Sequence, residues 1–175
     1  MTLKQIQDVL NAIFVRLGII QKEVAKIEPP KPTKHKLDFI ILHHTATDRD
    51  TTTFTAVNDF HRQQWAFKSK LGFYIGYQYF ITANGRVYQG REDLEEGAHT
   101  KGHNQNTIGI CLTGDFDTEY PTHEQLVSLN KLLDTLQDKY DIDVANIRGH
   151  RNFTQKTCPG DHLFQWLVEY KMQRS

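Results

Sequence analysis

The sequence predicts an α/β domain with a mixed central β-sheet flanked by helices, preceded by an N-terminal helix. Short segments rich in β-branched and aromatic residues alternate with amphipathic helical stretches, the order that layers helices on a sheet. An Asn84-Gly85 pair separates two of those segments, and both residues tolerate positive φ, so the two strands read as a hairpin. The third observation is a run of apolar residues near the N-terminus, spaced alternately by three and four.

That run comprises Leu3, Ile6, Leu10, Ile13, Leu17, Ile20, Val24 and Ile27, and it predicts a heptad helix over residues 1–28. With Leu3 at position a, Leu or Val fills a and Ile fills d, a choice that favours trimers or tetramers over dimers. Val9 and Phe14 widen the stripe, while Gly18 costs about 1 kcal/mol of helix stability relative to Ala. Three uses remain open: a homo-oligomer formed through residues 3–27, docking on the chain's own second domain, and capture of a partner. Pro29, Pro30 and Pro32 make residues 29–36 an extended, stiff linker, which favours a tether over docking.

Residues 37–175 form the main domain. Strands are expected at Asp38–His43, Tyr77–Thr82, Arg86–Gly90, Thr107–Thr113 and Asp143–Arg148. A first helix covers about Thr53 to Gln64, with Phe54, Val57 and Phe60 on one face. A second starts at Thr122, with Gln125 completing a capping box, and carries Leu126, Leu129, Leu133 and Leu136. A third runs from about Asp161 to Gln173 and turns Leu163, Trp166, Leu167 and Tyr170 inward.

Composition excludes several classes of function. With 21 basic and 21 acidic residues there is no field to attract nucleic acid or an anionic membrane. The run Val9–Ile20 is broken by Asn11 and Arg16, is too short to span a bilayer and lacks a small-residue cleavage site. Neither a membrane span nor a signal peptide is therefore expected. The 2 cysteines make no disulfide framework.

His43 closes the apolar strand Phe39–Leu42, and His150 and Cys158 share the segment Gly149–Gly160. Two imidazoles and a thiolate can hold Zn²⁺ and leave a fourth position for water, the arrangement hydrolytic zinc enzymes use. Residue type alone does not decide it, because the ligands are far apart in sequence and no compact metal motif joins them. A strand-end histidine, a loop histidine and an inert cysteine would read the same way.

Four anchors in order add to this: Ile41–Thr47, Gly76–Ile81 followed by Asn84–Arg91, Gly97–Asn104 leading into Ile108–Asp115, and His150–Cys158. Together they resemble the zinc-dependent N-acetylmuramoyl-L-alanine amidases, a family that includes bacteriophage endolysins and animal peptidoglycan recognition proteins. The resemblance runs from about Leu37 to Trp166. It implies that His43, His150 and Cys158 are the zinc ligands, that Tyr77 stands beside the metal's water, and that Lys156 faces the scissile carbonyl. It also makes His99 a substrate-binding residue of the groove. His44 is expected to be structural, since a fourth protein ligand would displace the water.

Many relatives have His where this chain has Gln78 and an aromatic where it has His103. Recognition members that do not cut typically lack the cysteine, so Cys158 favours a hydrolase. Secreted animal relatives usually carry disulfides, so the chain is expected to be made in a reducing bacterial cytoplasm. The resemblance thus implies a peptidoglycan hydrolase that cleaves between N-acetylmuramic acid and L-alanine. Its expected setting is phage lysis, with access to the wall after release or from a virion. The alternatives are a non-catalytic wall-binding module and a virion-associated assembly protein.

Overall fold

The computed structural model describes residues 37–174. The expected heptad helix over 1–28, its self-association through 3–27 and the linker 29–36 lie outside the described residues. The described elements are β1 (Phe39–His44), α1 (Phe54–Trp65), β2 (Tyr79–Ile81), β3 (Val87–Gln89), β4 (Thr107–Leu112), α2 (His123–Tyr140), β5 (Ile147–Gly149) and α3 (Asp161–Met172). No helix among the described residues is long and apolar enough to cross a membrane.

The five strands form one sheet in the order β3-β2-β4-β1-β5. β1 runs parallel to both β4 and β5, β2 runs parallel to β4, and only the β2–β3 hairpin at the edge is antiparallel. The sheet is therefore mixed, as the sequence predicts. β1 and β4 are almost wholly buried, which is why they read as unbroken apolar runs. Side chains alternate across the sheet. Ile40, Leu42, Ile108, Ile110 and Leu112 pack beneath Leu129, Leu133 and Leu136 of α2 and Leu163 and Leu167 of α3. On the opposite face, Phe80 and Cys111 meet Phe54 of α1 and Ile75.

Local chemistry sets the element ends. Thr53 caps α1 by accepting from the Ala56 N–H, and Thr122 and Gln125 form the predicted capping box on α2. The hairpin turns at Gly85, which has φ +78° and whose missing Cβ would otherwise lie 2.6 Å from the Glu124 carbonyl oxygen. Two expectations need correction. Phe60 is 55% exposed, and the inward face of α1 is Phe54, Val57 and His61. Six residues advance a helix by about 600°, so Phe60 sits roughly 120° from Phe54. The last strand is also shorter than expected. Asp143 accepts from the Ala145 N–H and nucleates a 3₁₀ turn over Val144–Asn146, so pairing begins only at Ile147.

One buried carboxylate ties the sheet edge to α2. Asp93 accepts from Tyr79 Oη (2.5 Å), Gln89 Nε2 (3.1 Å), Lys139 Nζ (2.7 Å) and Tyr140 Oη (2.7 Å). Burial alone would raise its pKa, but the hydrogen bonds from Lys139, Tyr79 and Tyr140 outweigh that and hold it below 3.8. A depressed carboxyl contributes stability above its unfolded pKa and loses it as pH falls through the folded one. Asp93→Asn is expected to cost about 1–3 kcal/mol in urea unfolding at pH 7. The gap from wild type should close as the pH drops below about 4.

Candidate metal centre

The alternation of β1 decides which of its two terminal histidines faces the cleft. His43 shares a register position with Cys111 and points to the α1 side, whereas His44 pairs with Leu112 and turns the other way. There His44 Nδ1 accepts from the Phe116 N–H at 3.2 Å, the structural part expected of it. His150 follows β5 directly, on a 3₁₀ turn held by the Gly149 N–H donating to Asn152 Oδ1 at 2.9 Å. Cys158 arrives on the loop that returns from that turn. The Arg151 N–H donates to the Cys158 carbonyl at 2.6 Å, and the Arg151 guanidinium grips the Thr157 carbonyl. Thr157 Oγ1 donates to Asp117 Oδ2 at 2.6 Å, which fixes the loop to the segment after β4.

These restraints bring His43, His150 and Cys158 together, one ligand atom from each lying within 4.8 Å of the others. Cys158 Sγ is 3.7 Å from His43 Nδ1, and the two imidazole centroids are 4.5 Å apart. The donors suit a metal of zinc's character. Burial, then the neighbouring His99, His150 and His44, holds His43 far below its usual pKa; burial and Lys156 bring His150 to about 4. Both rings are thus neutral at pH 7, with lone pairs available. Burial pushes the Cys158 thiol up to about 11, so metal uptake there must release its proton. Two neutral imidazoles with one ionisable thiol form a set that fits Zn²⁺.

The cluster lies in a cleft of about 990 Å³. Tyr77 stands beside it, its ring centroid 5.1 Å from that of His43. Burial raises its hydroxyl well above the usual value and the thiols of Cys111 and Cys158 add to the effect, so the phenol stays protonated. Lys156 lines the cleft from the Cys158 loop and is exposed. His99 also lines it, but its Nδ1 is 3.1 Å from His43 Nε2 and its Nε2 is buried with no hydrogen-bond partner among the described residues.

Residues 33–161 match the family described as N-acetylmuramoyl-L-alanine amidase. The chain belongs to that family. It is 33% identical over 149 residues to the endolysin of Escherichia phage T7, covering 81% of this chain and 93% of that protein. It is 31% identical over 146 residues to peptidoglycan-recognition protein 2 of Holotrichia diomphalia, covering 79% and 75% respectively. Among solved structures, the N-acetylmuramoyl-L-alanine amidase LysC from Clostridium intestinale superposes with a TM-score of 0.67 at 29% identity, covering 81% of this chain and 89% of LysC.

Within this amidase-family chain, several residues at the site escape a reading by motif. Thr100 Oγ1 lies 3.0 Å from His99 Nδ1 and 3.4 Å from His43 Nε2. Asn104 Oδ1 accepts from the N–H groups of both His99 and Thr100, at 2.9 and 2.7 Å. Trp65, at the end of α1, forms part of the cleft wall and is 54% exposed. Only Gly109 carried a signal, as a glycine interrupting an apolar strand. The His99 ring lies against it: a Cβ on Gly109 would be 2.6 Å from His99 Cδ2. A second group, His44, Asp115 and Asp117, could also hold a cation. The Phe116 N–H already engages His44 Nδ1, Thr157 and the Asp161 N–H engage the two oxygens of Asp117, and the Asp117 N–H donates to Asp115 Oδ1.

Gly109→Ala is expected to push the His99 ring out of its seat at a cost of about 1–3 kcal/mol. Denaturant unfolding checks this, with Thr107→Ser on the same strand as a control that leaves the seat intact.

Proposed function

We propose that this chain is a zinc-dependent amidase that hydrolyses the bond between the lactyl group of N-acetylmuramic acid and L-alanine of the stem peptide. The observation that carries the reading is the convergence of His43, His150 and Cys158 on one point at the floor of an open cleft. Three protein ligands leave a position for water, and Zn²⁺ held there would lower that water's pKa towards about 7 and polarise a carbonyl.

The chain's own residues take the remaining roles. The protonated Tyr77 hydroxyl donates a hydrogen bond to the oxyanion that develops on the attacked carbonyl. The Lys156 ammonium supports the same charge or delivers a proton to the departing L-alanine nitrogen. Lys101 and Lys156 are the charged side chains lining the cleft among the described residues besides its histidines and cysteine, and no carboxylate lines it. That lining suits the acidic stem peptide. Similarity to a phage endolysin along 93% of its length supports a role in phage lysis, with synthesis in the host cytoplasm and action at the wall.

Purified peptidoglycan tests the reading. Release of stem peptide should stop with a chelator and return with zinc, and Cys158→Ala should abolish it while near-UV circular dichroism stays native. Tight wall binding with no peptide released would instead make the protein a recognition module. Tyr77→Phe removes one oxyanion donor, so kcat should fall by about 10²–10³ with little change in KM.

A further inference from the structure

His43 has a neighbour at each ring nitrogen. Nδ1 faces Cys158 Sγ at 3.7 Å, on the side where the three ligand atoms converge, and Nε2 faces His99 Nδ1 at 3.1 Å. An imidazole that gives one lone pair to a metal carries its proton on the other nitrogen, and the partner of that N–H fixes the tautomer and the ring plane. His99 Nδ1 can accept only if the proton of His99 sits on Nε2.

The surroundings are built to hold His99 in that one pose. The two rings meet edge to face, with centroids 5.1 Å apart. Gly97 and Gly109 flank the His99 ring, where a Cβ on either would come within 2.6 Å of its Cδ2. Asn104 Oδ1 holds the backbone N–H groups of His99 and Thr100, and the Thr100 hydroxyl lies 3.0 Å from His99 Nδ1 and 3.4 Å from His43 Nε2, beside both rings. Neither nitrogen is left for a molecule in the cleft. Nδ1 is engaged, and Nε2 is shut off from solvent.

We infer that His99 is a positioning residue which accepts the Nε2–H of His43, and so presents His43 Nδ1 to the zinc ion, rather than a contact for substrate. The inference rests on the zinc-site reading above. It gives the Gly97–Asn104 segment a task distinct from recognition of the wall: that segment sets the first ligand's orientation before any substrate arrives.

Zinc affinity, measured by competition with a chromophoric chelator in the absence of substrate, tests it. His99→Leu fills the seat without an acceptor and should weaken zinc binding by about ten- to a hundredfold. His99→Asn places an acceptor near the old Nδ1 and should recover most of that loss. Nitrogen-15 spectra of the zinc-loaded wild type test the same point without a variant, and should assign both His43 and His99 to the Nε2–H tautomer. A His99 proton on Nδ1 would overturn the inference. So would unchanged zinc affinity in His99→Leu with weakened binding of a muramyl peptide, which would make His99 a substrate contact. A wild type that takes up no zinc would sink the zinc reading and this inference together.

Discussion

The parallel pairing of Phe39–His44 with Thr107–Leu112 is the constraint from which the site is built. In that register His43 stands beside Cys111, with Gly109 two residues below on the same face. Ile40, Leu42, Ile108, Ile110 and Leu112 go to the opposite face, under α2 and α3. A slip of one residue would exchange His43 for His44 and put Ile110 where Gly109 makes room for an imidazole. The leucine and isoleucine core therefore does more than stabilise the domain. By burying Ile40, Leu42, Ile108 and Ile110 completely, it locks the phase of the strands and with it the identity of the first ligand.

Against that rigid floor the other two ligands are delivered by a loop held with polar contacts. Arg151 lies between the two functions, since its neighbour His150 points into the cluster while its own guanidinium bonds the Thr157 carbonyl and Asp161. Asp117 accepts from Thr157 on one oxygen and from the Asp161 N–H on the other. The loop's path is thus fixed on both sides of Cys158. His99 Nε2, buried with no hydrogen-bond partner among the described residues, is a cost the fold bears, about 1–3 kcal/mol for a buried donor of this kind. A cost of that size is tolerable where the packed sheet beneath is strong enough to hold the ring in place.

Much of this could be read from sequence, for physical reasons that differ by element. The buried strands and the leucine stripe of α2 announce themselves because periodicity follows directly from burial on one face. The capping box of α2 is local chemistry and was equally legible. Phe60 reads as core because an aromatic on a helix looks inward until the angle to its neighbours is fixed. The strand before Gly149 reads longer than it is because a single Asp143 side chain competes with the ladder. At the site, motif order located His43, His150, Cys158, Tyr77 and Lys156, but no motif encodes which ring nitrogen faces which neighbour. The contact between His43 and His99 joins residues 56 apart in the chain and exists only once the sheet is assembled.

Another kind of support comes from Arg91, which is fully buried. Its guanidinium donates to the carbonyl oxygens of Ile75, Glu96 and Phe67 and to Glu95 Oε1, and lies over the Phe67 ring at 4.4 Å. One side chain therefore anchors two irregular segments, 66–76 and 91–96, through their main chain. Anchorage through backbone atoms is indifferent to the side chains those segments display. The exposed Lys68 and Leu71 can then be exchanged without loosening the path of the chain. In engineering terms those positions are a graftable surface on a fixed frame.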